Sequence, residues 1–274
     1  MKRQPVDSYH TQNRGGKGIR SLSLNEEDSV DRMITMSTHD YLLLFTNQGR
    51  VYRMRGYNVP LGSRTSKGIP IVNVLTMQEG EKVQALLPYS KNDTQENLVF
   101  VTSDGVVKRT PVTEFHNINK KGKLAITLNE GDTLAYVKAT YGDDDIIIAG
   151  DNGKAIRFQE KDIRLMGRTA AGVKGFNTDG GKVVGMALSS EGDTLFALSE
   201  NGFGKRSYLS DYRLTNRGGK GVRTINVTDK TGPLVALQAV SGDEDAMIVT
   251  SNGQMIRVHL QDISIYSRNT QGIS

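Results

Sequence analysis

A chain of 274 residues with no cysteine, no tryptophan and 30 glycines is long enough for a sizeable core, but has no disulfide or thiolate metal site to hold it. Nothing in it approaches the roughly 18 consecutive apolar residues of a membrane-spanning helix, and the N-terminal MKRQPVDSYH lacks the apolar core of a secretory signal, so the composition fits the cytosol. The net charge of +5 and pI near 9.2 point only weakly to a nucleic-acid partner.

In chain order, Lys2-Arg3 reads as the end of a strand, because the same dipeptide closes hairpins at 108–109 and 205–206. The stretch QNRGGKG follows at 12–18. From residue 41 a β-rich run, a turn and a basic residue recur five times: YLLLFTNQGRVYR, LVFVTSDGVVKR, DIIIAGDNGKAIR, TLFALSENGFGKR and AMIVTSNGQMIR. Their turn glycines, Gly49, Gly105, Gly153, Gly202 and Gly253, lie 48 to 56 residues apart. Four of the turns are Asn-Gly or Asp-Gly, which predicts two-residue hairpin loops with positive φ at both central positions. Between hairpins, GIPIVNVLTMQEGEKVQALLP, KLAITLNEGDTLAYVKA and GVRTINVTDKTGPLVALQAV each read as a second strand pair.

Four short strands per period, with no helix-length amphipathic segment, predict an all-β radial array of four-stranded blades. Periodicity leaves open whether blades keep their strands or exchange them. The repeat units run about 18–67, 68–121, 122–171, 172–220 and 221–271 within a single domain, 1–274. Residues 1–17 and 272–274 resemble the two cut ends of a sixth blade, as expected for a piece excised from a longer chain.

The charges are segregated. Windows 1–20, 49–68, 105–123, 153–174, 202–223 and 253–274 cover each hairpin's last strand and the connection after it. They hold 29 of the 35 Lys and Arg residues and 6 of the 30 Asp and Glu. Solvated loops ordinarily mix both signs, so a continuous basic band points to a polyanion, above all duplex DNA. The candidate contacts along this rim are Arg3 and Arg20, then Arg50, Arg53, Arg55, Arg64 and Lys67. Lys108, Arg109, Lys120, Lys121 and Lys123 follow, then Arg157 and Arg168. Lys205, Arg206, Arg217, Lys220, Arg223, Arg257 and Arg268 complete the band. With no long recognition helix, no Cys/His finger and no row of aromatics, such contacts fall on phosphates rather than bases.

The connections run from an arginine to a glycine, fifteen residues on in five cases and thirteen in one: Arg3 to Gly18, Arg53 to Gly68, Arg109 to Gly122, Arg157 to Gly172, Arg206 to Gly221 and Arg257 to Gly272. The box Gln12, Asn13, Arg14, Gly15, Gly16, Lys17, Gly18 is such a connection, nearly repeated at 215–221. It places two cations beside a Gly-Gly pair that lets backbone N–H groups approach a phosphate. No enzyme site emerges. His10, His39, His116 and His259 fall at unlike repeat positions without metal-ligand spacing, and the carboxylates of GDDD (142–145) and SGDED (241–245) read as solvated turns.

The box, the preceding KR and the repeated hairpins resemble the C-terminal domain of DNA gyrase A over essentially the whole chain. Asn13 stands where that family usually has a cation, and Thr215 replaces the Gln of the second copy. The resemblance implies a strand-exchanged propeller, the β-pinwheel, that wraps duplex DNA around its rim with positive handedness so that the enzyme, a type II DNA topoisomerase, can introduce negative supercoils. It also implies that the box locks the wrap, that catalysis lies elsewhere in the holoenzyme, and that this domain needs no cofactor. The partners it implies are the rest of gyrase A and, in the holoenzyme, gyrase B, with the isolated domain monomeric. The equivalent domain of topoisomerase IV and a propeller scaffold for protein interaction are the other readings.

Overall fold

The computed structural model describes residues 1, 19–20, 34, 36–61, 74–90, 93–249 and 254–274. The five repeated runs form the hairpins β2 (Tyr41–Thr46) with β3 (Arg50–Arg55), β5 (Asn97–Thr102) with β6 (Val106–Pro111), β9 (Asp145–Gly150) with β10 (Lys154–Gln159), β13 (Thr194–Ser199) with β14 (Gly204–Tyr208), and β17 (Asp245–Val249) with β18 (Gln254–His259). The first strand of a pair is an unbroken apolar run, such as LVFV in β5, because both of its faces are covered. Leu98 and Phe100 of β5 pack toward Leu43 and Phe45 of β2, while Val99 and Val101 pack toward Ile146 and Ile148 of β9. A continuous core therefore passes from blade to blade.

The turns differ from expectation. Gly49, Gly105, Gly153 and Gly202 have φ between 80° and 92°, but Asp179 alone among the described non-glycine residues has positive φ. The residue before each turn glycine therefore keeps an ordinary conformation. The amide of Gly49 closes on Thr46 O at 3.0 Å, that of Gly105 on Thr102 O at 3.0 Å and that of Gly153 on Gly150 O at 3.0 Å. This is a β-turn followed by a left-handed glycine, the three-residue hairpin loop. Gly253 lies outside the described residues.

The second strand pair is corrected too. Its members, β7 (Lys123–Leu124) and β8 (Leu134–Thr140) in one case, go to different sheets: β8 pairs with β5, whereas β7 crosses to β3 of the preceding hairpin. Similarly β11 (Val173–Lys174) joins β6 and β15 (Val222–Arg223) joins β10. The four strands of one sequence unit are thus distributed among neighbouring sheets, which establishes strand exchange. With β4 (Val83–Tyr89), β12 (Val183–Leu188) and β16 (Leu234–Val240), the described residues form three four-stranded sheets and two three-stranded ones. In the three-stranded β14-β13-β16 sheet, the crossing strand is reduced to the single bridge Gly204 to Ile273. β1 (Ile19–Arg20) pairs with β18 and so brings the first and last parts of the chain into one sheet.

β4, β8, β12 and β16 pack on one another in succession and form the inner side of the array. The opposite edge of each sheet carries the hairpin's second strand and the crossing strand, so the connections lie on the perimeter. β7, β11 and β15 each dock over a turn glycine, whose carbonyl accepts two successive amides. Ala125 and Ile126 donate to Gly49 O at 2.7 and 3.1 Å, and Gly175 and Phe176 to Gly105 O at 2.9 and 3.0 Å.

Candidate nucleic-acid interface

The perimeter cations divide by what they touch. One arginine from each of four outer strands clamps the next blade. Arg53 donates to His116 O at 2.8 Å, Arg109 to Ile163 O at 2.8 Å, Arg157 to Tyr212 O at 3.0 Å and Arg206 to Ile263 O at 3.1 Å. Each acceptor ends a short 3-10 turn in the next connection, where carbonyls have no helical partner. A guanidinium with five donors suits that position. Arg157 also pairs with Asp145 at 2.8 Å, Arg257 with Asp245 at 2.8 Å, and Arg109 approaches Glu160 at 3.5 Å.

Lys108 and Lys205, expected on the rim, are fully buried, and Arg206 is nearly so. The Lys108 ammonium donates to Ala125 O and Arg168 O at 2.5 Å, and that of Lys205 to Arg268 O at 2.7 Å, Thr270 O at 2.9 Å and Ser267 O at 3.0 Å. These lysines hold a connection onto the blade beneath it and cannot reach a phosphate without abandoning several carbonyls. Burial lowers Lys108 to about 7 and Lys205 to about 8, with Arg168 and Arg268 adding to the respective effects.

A third position, four residues before a connection's last glycine, is occupied by Arg14, Arg64, Arg168, Arg217 and Arg268. Arg168 donates to Leu124 O, Arg268 to Arg223 O, and Arg217 to Lys174 O at 2.9 Å, in each case the second residue of a crossing strand. In the second box, the amide of Gly218 is used by Gly175 O at 2.7 Å. Gly221 has φ of 73°, and a Cβ there would lie 2.2 Å from Ala155 O. Lys220 pairs with Asp179 at 3.1 Å, both about half exposed. Much of the glycine pattern thus serves docking of the connection rather than approach to a phosphate.

Lys120, Lys121, Lys220 and Arg223 stand exposed. Lys161, Arg164, Lys174 and Arg213 do as well; they are not among the rim candidates above, and their membership of the basic windows is the signal for them. Arg50, Arg55 and Lys123 are half-buried, Arg50 donating to Lys121 O at 2.8 Å and Arg55 lying 3.7 Å over the Tyr41 ring. Residues 12–18, Arg3, Arg64 and Lys67 lie outside the described residues, and of Arg20 only the strand is described.

The GDDD loop is only partly a solvated turn, with Asp143 exposed. Asp144 is buried, accepting Ser190 N at 3.0 Å, and the buried Glu160 accepts the amides of Gly142 and Asp144 at 2.9 and 2.8 Å. Among the described residues no group of three or more His, Cys, Asp or Glu is placed to hold a metal ion.

A family model described as DNA gyrase C-terminal domain, beta-propeller, matches residues 1–35, 40–90, 96–140, 144–190, 193–241 and 244–274. The chain belongs to the DNA gyrase C-terminal domain family. The DNA gyrase A protein of Ureaplasma parvum is 47% identical over 274 residues, and that of Staphylococcus epidermidis 46% over 277, each match covering 100% of this chain. The chain spans 32% and 31% of those proteins, about a third of their length. A solved DNA gyrase A C-terminal domain superposes with a TM-score of 0.88 at 27% identity, over 99% of this chain and 90% of that one. The solved C-terminal domain of DNA topoisomerase IV gives 0.76 at 23% identity, over 92% and 79%, and at that identity shows the fold alone. Between gyrase and topoisomerase IV, the full-chain identity to gyrase A decides for gyrase. The gyrase-type box falls within the first matched segment.

Proposed function

We propose that this domain binds duplex DNA without reading its sequence and bends it around the perimeter, so that a gyrase containing it can introduce negative supercoils. The exposed cations of the connections and crossing strands carry this reading: Lys120, Lys121, Lys161, Arg164, Lys174, Arg213, Lys220 and Arg223 are all on the outer side of the array. The buried lysines and clamping arginines contribute rigidity to that rim. The box at 12–18 secures the wrap against elastic recoil, which for a bend of 40–90° over 20–30 bp is on the order of 1–6 kcal/mol. The domain supplies binding and shape but no bond-making chemistry, requires no cofactor, and works in the bacterial cytoplasm with the remainder of gyrase A and with gyrase B.

The test is to ligate nicked circular DNA in the presence of the domain and measure the linking-number change, alongside affinity against salt. A change in linking number is expected, together with a log K against log salt slope of about −7 if roughly eight phosphates are neutralised. No linking-number change, or a slope near −1 (about one phosphate contact), overturns the reading.

A further inference from the structure

Four connections carry an aliphatic residue eight positions past their first arginine: Leu61 after Arg53, Leu165 after Arg157, Leu214 after Arg206 and Ile265 after Arg257. Their exposures are 70%, 51%, 49% and 37%, and none of them joins a core cluster. Isolated exposed aliphatics are ordinary on any protein surface. Exposure at the same place in four connections is a pattern.

The backbone at this position is held firmly. Leu165 and Ile265 bridge in parallel to Arg109 and Arg206 of the preceding outer strand. The next amides, of Met166 and Tyr266, donate to those arginines' carbonyls at 2.8 Å, and Thr215 N donates to Arg157 O at 2.9 Å. The side chains of Leu165, Leu214 and Ile265 thus stand on a fixed support at the perimeter. Exposed Arg164 and Arg213 immediately precede Leu165 and Leu214.

We infer that these side chains rest on the apolar faces of deoxyribose between phosphates held by the neighbouring cations, adding a salt-insensitive contact to the wrap. The inference rests on the DNA-wrapping reading. Charge alone would hold a duplex at a variable distance through flexible side chains, whereas a short aliphatic group on a rigid bridge fixes the spacing. Sugar faces are the same at every base pair, so the contact adds affinity without adding sequence preference. Apolar burial also leaves a negative heat-capacity change on binding, which cations alone do not supply.

The test combines Leu165→Ser, Leu214→Ser and Ile265→Ser in one variant, with its melting checked first; exposed positions leave the fold unchanged. Duplex affinity should fall roughly tenfold, the heat-capacity change should become less negative and the linking-number change should shrink, all with an unaltered salt slope. Unchanged affinity and linking number in the triple variant overturn the inference and leave these residues to face a protein instead. A changed salt slope also overturns it, because the effect then passes through the cations. A wild-type slope near −1 brings down the wrapping reading itself, a result separable from both.

Discussion

The connection over Lys108 and the connection over Ile156 solve one problem by two chemistries. In both, the third residue past the preceding connection's last glycine has a carbonyl facing the loop: Ala125 O in one, Gly175 O in the other. The first accepts the Lys108 ammonium at 2.5 Å, the second the Gly218 amide at 2.7 Å. Gly218 presents that amide from φ of 95°, which the corresponding Thr169 does not adopt. A lysine below therefore lets the loop use ordinary residues, and a glycine pair above lets the floor be apolar. The residue before the clamp arginine reads Lys2, Tyr52, Lys108, Ile156, Lys205 and Ile256 along the chain. By strand register, Gly221 of the second box faces Ile156. The second glycine-rich box thus belongs to a connection with an apolar floor.

The sharpest way to break this equivalence is Ile156→Lys, which buries an ammonium beneath a loop whose carbonyl is already satisfied. An uncompensated buried charge costs about 3–5 kcal/mol, and urea unfolding should show a loss of that order. Lys108→Ile should cost about 2–3 kcal/mol, since Ala125 O and Arg168 O lose their donor. Adding Thr169→Gly and Ala170→Gly to Lys108→Ile should recover about half of that loss by allowing the amide solution; no recovery would mean that the two loops are not interchangeable. The smallest expected effect lies in the pH profile. With Lys108 lowered to about 7 by burial, the unfolded chain binds more protons than the folded one above that pH, so stability rises from pH 7 toward the ordinary lysine range. Lys108→Ile should flatten this rise, as urea midpoints at pH 7 and pH 9 would reveal.

Hairpins, their glycines and the segregation of charge were legible because each repeats at a fixed spacing and depends on nearby residues. Strand exchange was not, because β7, β11 and β15 are two residues long and their partners are set by packing far along the chain. The basic band was legible as a band, but not the part each cation plays within it. Lys108 and Lys205 are as basic as Lys120, and only the side of the strand they face separates them. One signal was available: aligned by repeat, they share a position with Tyr52 and Ile156, which marks it as inward-facing. The box glycines were read toward a phosphate because nothing local announces that Gly218 turns its amide to Gly175.

In repeat proteins whose units touch only their neighbours, the ends can fray one unit at a time. Here the sheet built on β2 and β3 also needs β4 and β7, so it is complete only when the chain has been laid down as far as Leu124. Synthesis from the N-terminus therefore leaves each of the first four hairpins waiting, its outer edge bare, until residues two connections later arrive to cover it. With residues 19–20 paired to residues 254–255, the earliest described strand waits for nearly the last. Folding on the ribosome would follow the chain only part of the way and finish as a single closing event.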